Sequence, residues 1–316
     1  MAALLEIKNL KKYFQVPAGT NHAVDDVTMT IEKGTTMGVV GESGCGKSTL
    51  GRTAIRLQDP TAGQILFNGQ DITNITGKEL KKAREKMQII FQDPYSSLNP
   101  RMSIESTVRE PLKESHRYTK AELIEKTEDL MDLVGIEERL RLAYPHELDG
   151  GRRQRVGIAR AIALNPEFIM CDEPVSALDV SIQAQVLNLL MKLQEELKLT
   201  YMFVTHDLSV VRHISDNISV MYLGQLVETS PSKHLFVNPL HPYTKALLSA
   251  IPSTDIDRPM NRILLKGELT SPINPHPGCR FAKRCPFATE ACLQPQKLVE
   301  VETNHFVSCC RVNEIN

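Results

Sequence analysis

An octapeptide, Gly41-Glu42-Ser43-Gly44-Cys45-Gly46-Lys47-Ser48, constrains this chain more than any other segment. Thr35 to Val40 before it reads as a short, nearly all-apolar strand, and Ser48 to Leu57 after it as a helix. That strand–loop–helix setting is what a phosphate-binding loop requires. The glycines let backbone N–H groups turn toward phosphate oxygens, and the helix N-terminus adds a favourable dipole. Lys47 is placed to reach the β- and γ-phosphates, Ser48 to ligate Mg²⁺, and Thr49 to touch the α-phosphate side. Cys45 reads as a tolerated small residue of the loop. The bland alternative is a glycine-rich turn joining a strand to a helix.

Four further pieces follow in order: Gln92, a glycine-arginine stretch from Leu148 to Arg155, an apolar run ending in Asp172-Glu173, and His206 after a second apolar run. Ligands sit at the carboxyl ends of parallel strands, so both acids are expected to face the phosphate loop. Asp172 suits the Mg²⁺ second shell and Glu173 the base that orients attacking water. A lone Asp-Glu pair is otherwise a solvated turn. His206 ends the strand Met202-Phe203-Val204-Thr205, where it can bond the γ-phosphate. Gly150 and Gly151 open a helix and make a second anion site. One chain has no use for two γ-phosphate sites, whereas a head-to-tail dimer does. Arg152, Arg153, Arg155 and Arg160 can also form a basic surface face, the reading preferred for Arg153 and Arg155.

The chain has 316 residues, 41% hydrophobic and 24% charged, with a formal net charge of −1. This is ordinary globular composition, and no global basic field argues for nucleic acid. Apolar runs are too short to span a bilayer, and residues 1–6 carry no secretory signal, so a cytosolic protein is expected. Strands are read at Leu4 to Leu10, Val24 to Ile31, Ile65 to Gln70 with an Asn-Gly turn, Lys86 to Phe91, Phe168 to Cys171 and Thr200 to Thr205. Helices are read at 103–115, 119–134, 153–164 and 181–197. The expected fold is α/β: a phosphate-loop ATPase core with a mainly parallel sheet, a helical subdomain near 95–150, and a small Cys-rich C-terminal module. The domain boundaries are 1–252 and 253–316.

These residues carry a resemblance over nearly the whole chain to the ATP-binding subunits of ABC transporters. In that family Gln92 corresponds to the Q-loop, 148–152 to the signature loop, Ser176-Ala177-Leu178-Asp179 to the D-loop, and His206 to the switch histidine. The resemblance implies that Gln92 joins Ser48 and Asp172 at Mg²⁺, and that Asp149, Gly150, Gly151 and Asp179 serve the nucleotide interface. It also implies an aromatic stacked on adenine, either Phe14, which fits the spacing better, or Tyr13. The stretches 91–101 and 241–248 and the cysteine-rich tail are similar to oligopeptide and dipeptide importers, of the second ATPase type. The implied partners are a homologous ATPase forming a heterodimer, two transmembrane permease subunits near the 92–102 loop, and an extracellular or periplasmic peptide-binding protein. The implied place is the cytoplasmic face of the membrane. A nickel or other small-solute importer, or a weakly hydrolysing regulatory subunit, stays open as the alternative.

The signature departs from the usual Leu-Ser-Gly-Gly-Gln, reading Leu148-Asp149-Gly150-Gly151-Arg152. An ionised Asp149 cannot donate to a γ-phosphate. At ~4 Å and an effective dielectric near 20, each pair of unit charges repels by roughly 4 kcal/mol. This favours an asymmetric dimer unless the carboxylate swings away. In the tail, Cys279, Cys285, Cys292 and Cys309 supply four thiols in a Pro-rich segment that needs a staple. Zinc or an iron–sulfur cluster can use such a set, although the spacing lacks the close pairs usual for zinc. Resemblance to peptide-importer tails implies a four-iron, four-sulfur cluster and Cys309 rather than Cys310 as the fourth ligand. Buried cysteines without metal are the alternative.

Overall fold

The computed structural model describes residues 2–251, 262–265, 267 and 271–316. The chain forms two compact units, one from residues up to 74 together with those from 203 onward, the other from 75–202.

The first unit opens on a long antiparallel hairpin, β1 (Ala3–Val16) and β2 (Gly19–Glu32), with Val16 opposite Gly19. The sequence reading covers only the half away from the turn, Leu4 to Leu10 and Val24 to Ile31, because beyond Leu10 and before Val24 the side chains are half-exposed and alternate weakly. The fully buried β3 (Thr36–Val40) feeds the glycine loop, and α1 (Lys47–Ala54) follows it. Then β4 (Ala62–Phe67) turns through Asn68 and Gly69, at φ 50° and 74°, into β5 (Gln70–Asp71). Two positive φ values suit the tight hairpin turn that Asn-Gly predicts. The sheet order is β2-β1-β4-β5, all antiparallel.

The second unit contains α2 (Gly77–Lys86), β6 (Met87–Ile90), α3 (Ile104–Glu114), α4 (Lys120–Leu133), α5 (Gly150–Ile162), β7 (Phe168–Asp172) and α6 (Val180–Leu197). β8 (Thr200–Thr205) then leads the chain back to the first unit. β6 and β7 pair in parallel from Met87 opposite Phe168 to Ile90 opposite Cys171. The helices read at 103–115 and 119–134 are present, and their starts are capped: Ser103 caps α3, and Thr119 with Glu122 forms a capping box on α4. α2 was not expected, since this charged segment buries no residue and shows no apolar stripe.

The remaining elements are α7 (Leu208–Ile214), β9 (Asn217–Tyr222), β10 (Gln225–Pro231), α8 (Ser232–Val237), α9 (Pro242–Ser249), β11 (Val299–Glu302), β12 (His305–Val307) and α10 (Val312–Ile315). Within this unit the strands run β11-β12-β10-β9-β3. Only β3–β9 is parallel there; β9–β10, β10–β12 and β11–β12 are antiparallel. The expectation of a mainly parallel sheet is therefore corrected to mixed pairing beside a separate antiparallel sheet. Short hairpins, such as Leu223-Gly224 at φ 42° and 85°, impose antiparallel neighbours. The boundary drawn at 252/253 falls outside the described residues. Beyond it, β12 hydrogen-bonds to β10, so this part of the tail extends the sheet of the first unit.

Candidate nucleotide site

The phosphate loop lies between the end of β3 and α1. Gly41 and Gly46 sit at φ 155° and 105°, and a Cβ there would stand 2.1 Å from the Met221 carbonyl oxygen and 1.9 Å from that of Ala23. Only glycine lets the loop approach this neighbouring backbone so closely. Lys47, 4% exposed, donates from Nζ to the Gly41 and Glu42 carbonyls at 2.8 and 3.0 Å. Its ammonium is thus held against the loop where phosphate oxygens would be received. Cys45 is buried with Sγ 3.9 Å from Lys47 Nζ, and burial raises its thiol pKa, as befits a packing residue. Ser43 and Gly44 are exposed, while Ser48 and Thr49 are half-buried on the first turn of α1.

Glu42 is braced from two later segments of the same unit. Its amide donates to the Tyr243 hydroxyl at 2.9 Å. Its carboxylate takes two hydrogen bonds from Arg284, at 2.8 and 3.1 Å. Tyr243 lies in the 241–248 stretch and Arg284 between two tail cysteines, and neither had been singled out as a site residue. The signal available was the His-Pro-Tyr-Thr stretch, whose aromatic packs into a core with Tyr222 and Phe281. The two adenine candidates differ. Tyr13 stacks on His22 at 4.0 Å and donates its hydroxyl to Asp25, which also pairs with Arg280. Burial, then that acceptor, raises the Tyr13 phenol. Phe14 carries Lys12 Nζ 4.9 Å from its ring centroid. His206 follows β8 and is exposed.

In the second unit Asp172 is fully buried at the end of β7, and Glu173 follows in a left-handed conformation, φ 46°. Gln92 Nε2 donates to Glu173 Oε2 at 2.9 Å, so two sequence-predicted catalytic residues meet. Asp149 is the N-cap of α5, accepting the Arg152 N–H at 2.7 Å and pairing with Arg152 Nη1 at 2.8 Å. Arg152 also reaches Glu137 at 3.0 Å. The carboxylate is therefore folded back onto its own helix. A Cβ on Gly150 would come 3.0 Å from Leu178 Cδ2, and one on Gly151 2.5 Å from Ile182 Cγ2. The signature glycines thus pack tightly against Leu178 and α6. Asp179, exposed, is the N-cap of α6.

The surface reading of Arg153 is corrected. It is 4% exposed, its Nε donates to the Pro145 carbonyl, and its guanidinium stacks 3.6 Å from the Tyr95 ring centroid. A delocalised guanidinium stacked on an aromatic and bonded to a carbonyl tolerates such burial. Arg155 is half-buried on the Val134 carbonyl at 2.8 Å. Nearby, Gln88, Ile89, Phe91, Ser96, Ser97, Pro111, Arg160 and Ala161 line a cleft of about 480 Å³. Arg160 donates to the Ser97 carbonyl at 2.6 Å, and burial lowers its pKa. Tyr95, 64% exposed, adds an aromatic to this loop.

In the tail, Cys279 lies within electrostatic reach of Cys285, Cys292 and Cys309. Backbone N–H groups of Phe281, Phe287 and Arg311 point at the sulfurs of Cys279, Cys285 and Cys309, each from two residues on. Burial pushes the Cys279 thiol up to about 11. Cys292 and Cys310 place their sulfurs 4.0 Å apart. Among the described residues no three cysteine sulfurs lie within 4.8 Å of one another.

Residues 24–176 match the ABC transporter family, and residues 227–292 match the C-terminal region of oligopeptide/dipeptide transporters. The oligopeptide transport ATP-binding protein AppF of Bacillus subtilis is 53% identical, over 97% of this chain and 96% of its own. The chain belongs to the ABC transporter family. The oligopeptide transport ATP-binding protein OppF of Salmonella typhimurium is 49% identical, over 98% of this chain and 94% of its own. Among solved structures, a dimeric post-hydrolysis state of the ATP-binding cassette MJ0796 bound to ADP and Pi matches with TM-score 0.67. It is 30% identical and covers 72% of this chain and 98% of its own. CbiO1 of Clostridium perfringens, part of an ABC transporter complex, matches with TM-score 0.68 and 29% identity, over 75% of this chain and 92% of its own. No described helix is long and apolar enough to cross a membrane.

Proposed function

We propose that this ABC ATPase hydrolyses MgATP to energise import of oligopeptides or dipeptides through membrane permeases. The observation that carries it is the near full-length identity to AppF and OppF, including the 227–292 region particular to peptide transporters. In each catalytic event Lys47 and the loop amides hold the phosphates. Ser48, Asp172 and Gln92 would hold Mg²⁺, Glu173 would orient water, and His206 would contact the γ-phosphate. Phe14 is the better adenine stack, because the Tyr13 ring is already stacked on His22. Gly150 and Gly151 face the nucleotide of a homologous partner, and Asp149, capping α5 and paired with Arg152, offers that site a carboxylate in place of the usual serine hydroxyl. The cleft beside Phe91 and Arg160, lined in part by Ser96 and Ser97 of the 92–102 loop, supports docking of a permease segment there. A peptide-binding protein delivers substrate on the far side, and the ATPase sits peripherally on the cytoplasmic face.

The donor set of Cys279, Cys285, Cys292 and Cys309 fits an iron–sulfur cluster. Backbone N–H groups aimed at three of these sulfurs suit thiolates, and the sequence spacing lacks the close cysteine pairs usual for zinc. Bound, the cluster would supply a staple for 279–310. The test is reconstitution of the chain with its partner ATPase and permeases in vesicles. Peptide-dependent hydrolysis and uptake, both abolished by Lys47→Ala, are expected. Uptake of nickel with indifference to peptide would overturn the substrate assignment.

A further inference from the structure

We propose that His234, Glu302 and His305 form a binding site for a zinc-type divalent cation, distinct from the tail cysteines, that clamps the β11–β12 hairpin to α8. The three ligand atoms lie within 4.8 Å of one another. His234 Nε2 stands 3.3 Å from Glu302 Oε2, and His305 Nδ1 3.7 Å from the same oxygen. A tetrahedral zinc with bonds of about 2.0–2.1 Å places neighbouring ligand atoms roughly 3.3 Å apart, so small rotations complete the site.

The deciding feature is His305. Its side chain is fully buried, and Nδ1 has no hydrogen-bond partner. A buried polar atom left in that state is costly and calls for an explanation. Nε2 lies 2.7 Å from Glu228 Oε1. Glu228, also fully buried, accepts the Leu240 N–H at 2.7 Å and the His241 N–H at 3.0 Å, so only donors surround its oxygens. The imidazole proton therefore sits on Nε2, and Nδ1 turns a lone pair toward Glu302. A carboxylate fixing the tautomer of a histidine whose other nitrogen is left open is the arrangement that orients metal-binding histidines. Asn238 Nδ2, at 3.3 and 3.4 Å from the two Glu302 oxygens, steadies the carboxylate. The His234 and His305 rings meet edge to face at 5.0 Å. Two imidazoles and one carboxylate suit zinc over magnesium or calcium, and the half-exposed His234 and exposed Glu302 leave a fourth position for water.

The probe is Zn²⁺ added to the purified full-length chain, with Co²⁺ as its spectroscopic substitute. The expected result is one ion in a nitrogen–oxygen shell near ~2.0 Å, without the ~2.3 Å sulfur shell that tail-bound metal would show. The cobalt form is expected to lack sulfur-to-metal charge transfer for that ion. Glu228→Gln is expected to weaken binding about 10–100-fold through the tautomer. His234→Ala and Glu302→Gln, at exposed ligands that the fold does not need, are expected to weaken it at least as much. They also remove the zinc-dependent rise in melting temperature while leaving the metal-free melting temperature in place. Metal bound only through sulfur, no ion at all, or an N/O-bound ion that survives both exposed substitutions would each overturn the site. In those cases the group is an ion pair, with His305 doubly protonated.

Discussion

Arg284→Met is expected to weaken ATP binding by roughly thirtyfold, and adding Glu42→Gln is expected to restore it. Arg284 grips the Glu42 carboxylate with two hydrogen bonds at 2.8 and 3.1 Å, from side chains only 10% and 22% exposed. Those bonds raise the guanidinium pKa further, so it is charged at every working pH. Such a pair is worth about 1.5–3 kcal/mol, well above an exposed ion pair. Removing Arg284 also leaves a bare carboxylate on the phosphate loop. At ~8 Å from a phosphate charge and an effective dielectric near 20, that adds about 2 kcal/mol of repulsion. Since ~1.4 kcal/mol is tenfold, the dissociation constant rises about thirtyfold. Glu42→Gln alone removes the negative charge and is expected to hold or tighten ATP binding. The assay is equilibrium nucleotide titration of wild type, both single variants and the double, with denaturant melts on the same set. If Glu42→Gln weakens ATP as much as Arg284→Met, the pair acts through loop shape and the charge argument fails.

Three further outcomes are expected. Glu173→Gln is expected to retain ATP binding while slowing hydrolysis at this subunit's own site by about 10²–10⁴-fold; single-turnover assays with the partner site silenced measure this, and unchanged turnover removes Glu173 from the mechanism. Asp149→Ser with Arg152→Gln is expected to accelerate the partner's site about tenfold if ~1.4 kcal/mol of repulsion is relieved; no response in a mixed dimer would mean that the carboxylate stays folded on Arg152. Burial pushes His241 down to about 4 from 6.5, against the opposing pull of Glu228. The unfolded chain then binds that proton more tightly, so stability present above pH 6.5 is lost as pH falls through 4, by about 3 kcal/mol. His241→Asn, which keeps an acceptor for the Tyr243 N–H, is expected to flatten that slope in urea melts between the two values.

The phosphate loop was legible because its chemistry is local: glycines, lysine and serine sit side by side, and flanking apolar runs name the strand and helix. Asp172 was legible for the same reason, at the end of a buried strand. Pairing direction was not, since β9 and β12 have similar apolar content yet one runs parallel to β3 and the other antiparallel to β10. Arg153 misled because an arginine on a helix is charged in sequence and stacked on Tyr95 in space. The Glu42 brace joins residues more than two hundred positions apart, a distance no periodicity reports. Asp149 read as a charge facing phosphate, and its capping of α5 emerges only once the helix start is known.

Because the first unit is assembled from the two ends of the chain, its history on the ribosome is uneven. The β2-β1-β4-β5 sheet uses only residues 3–71 and can pair as soon as they emerge. β3, fully buried in the finished fold, must wait for its sheet neighbours, which begin with β8 at 200–205 and include the parallel β9 at 217–222. At typical elongation rates that delay is about ten seconds or more, during which an apolar strand and the phosphate loop stand unshielded. Nascent chains stalled once residue 74 has cleared the ribosome, but before β9 is made, should therefore yield to protease within β3, whereas chains stalled well past 222 should resist there. The loop that receives the nucleotide would then be among the last parts of its unit to become safe from proteases and from other nascent chains.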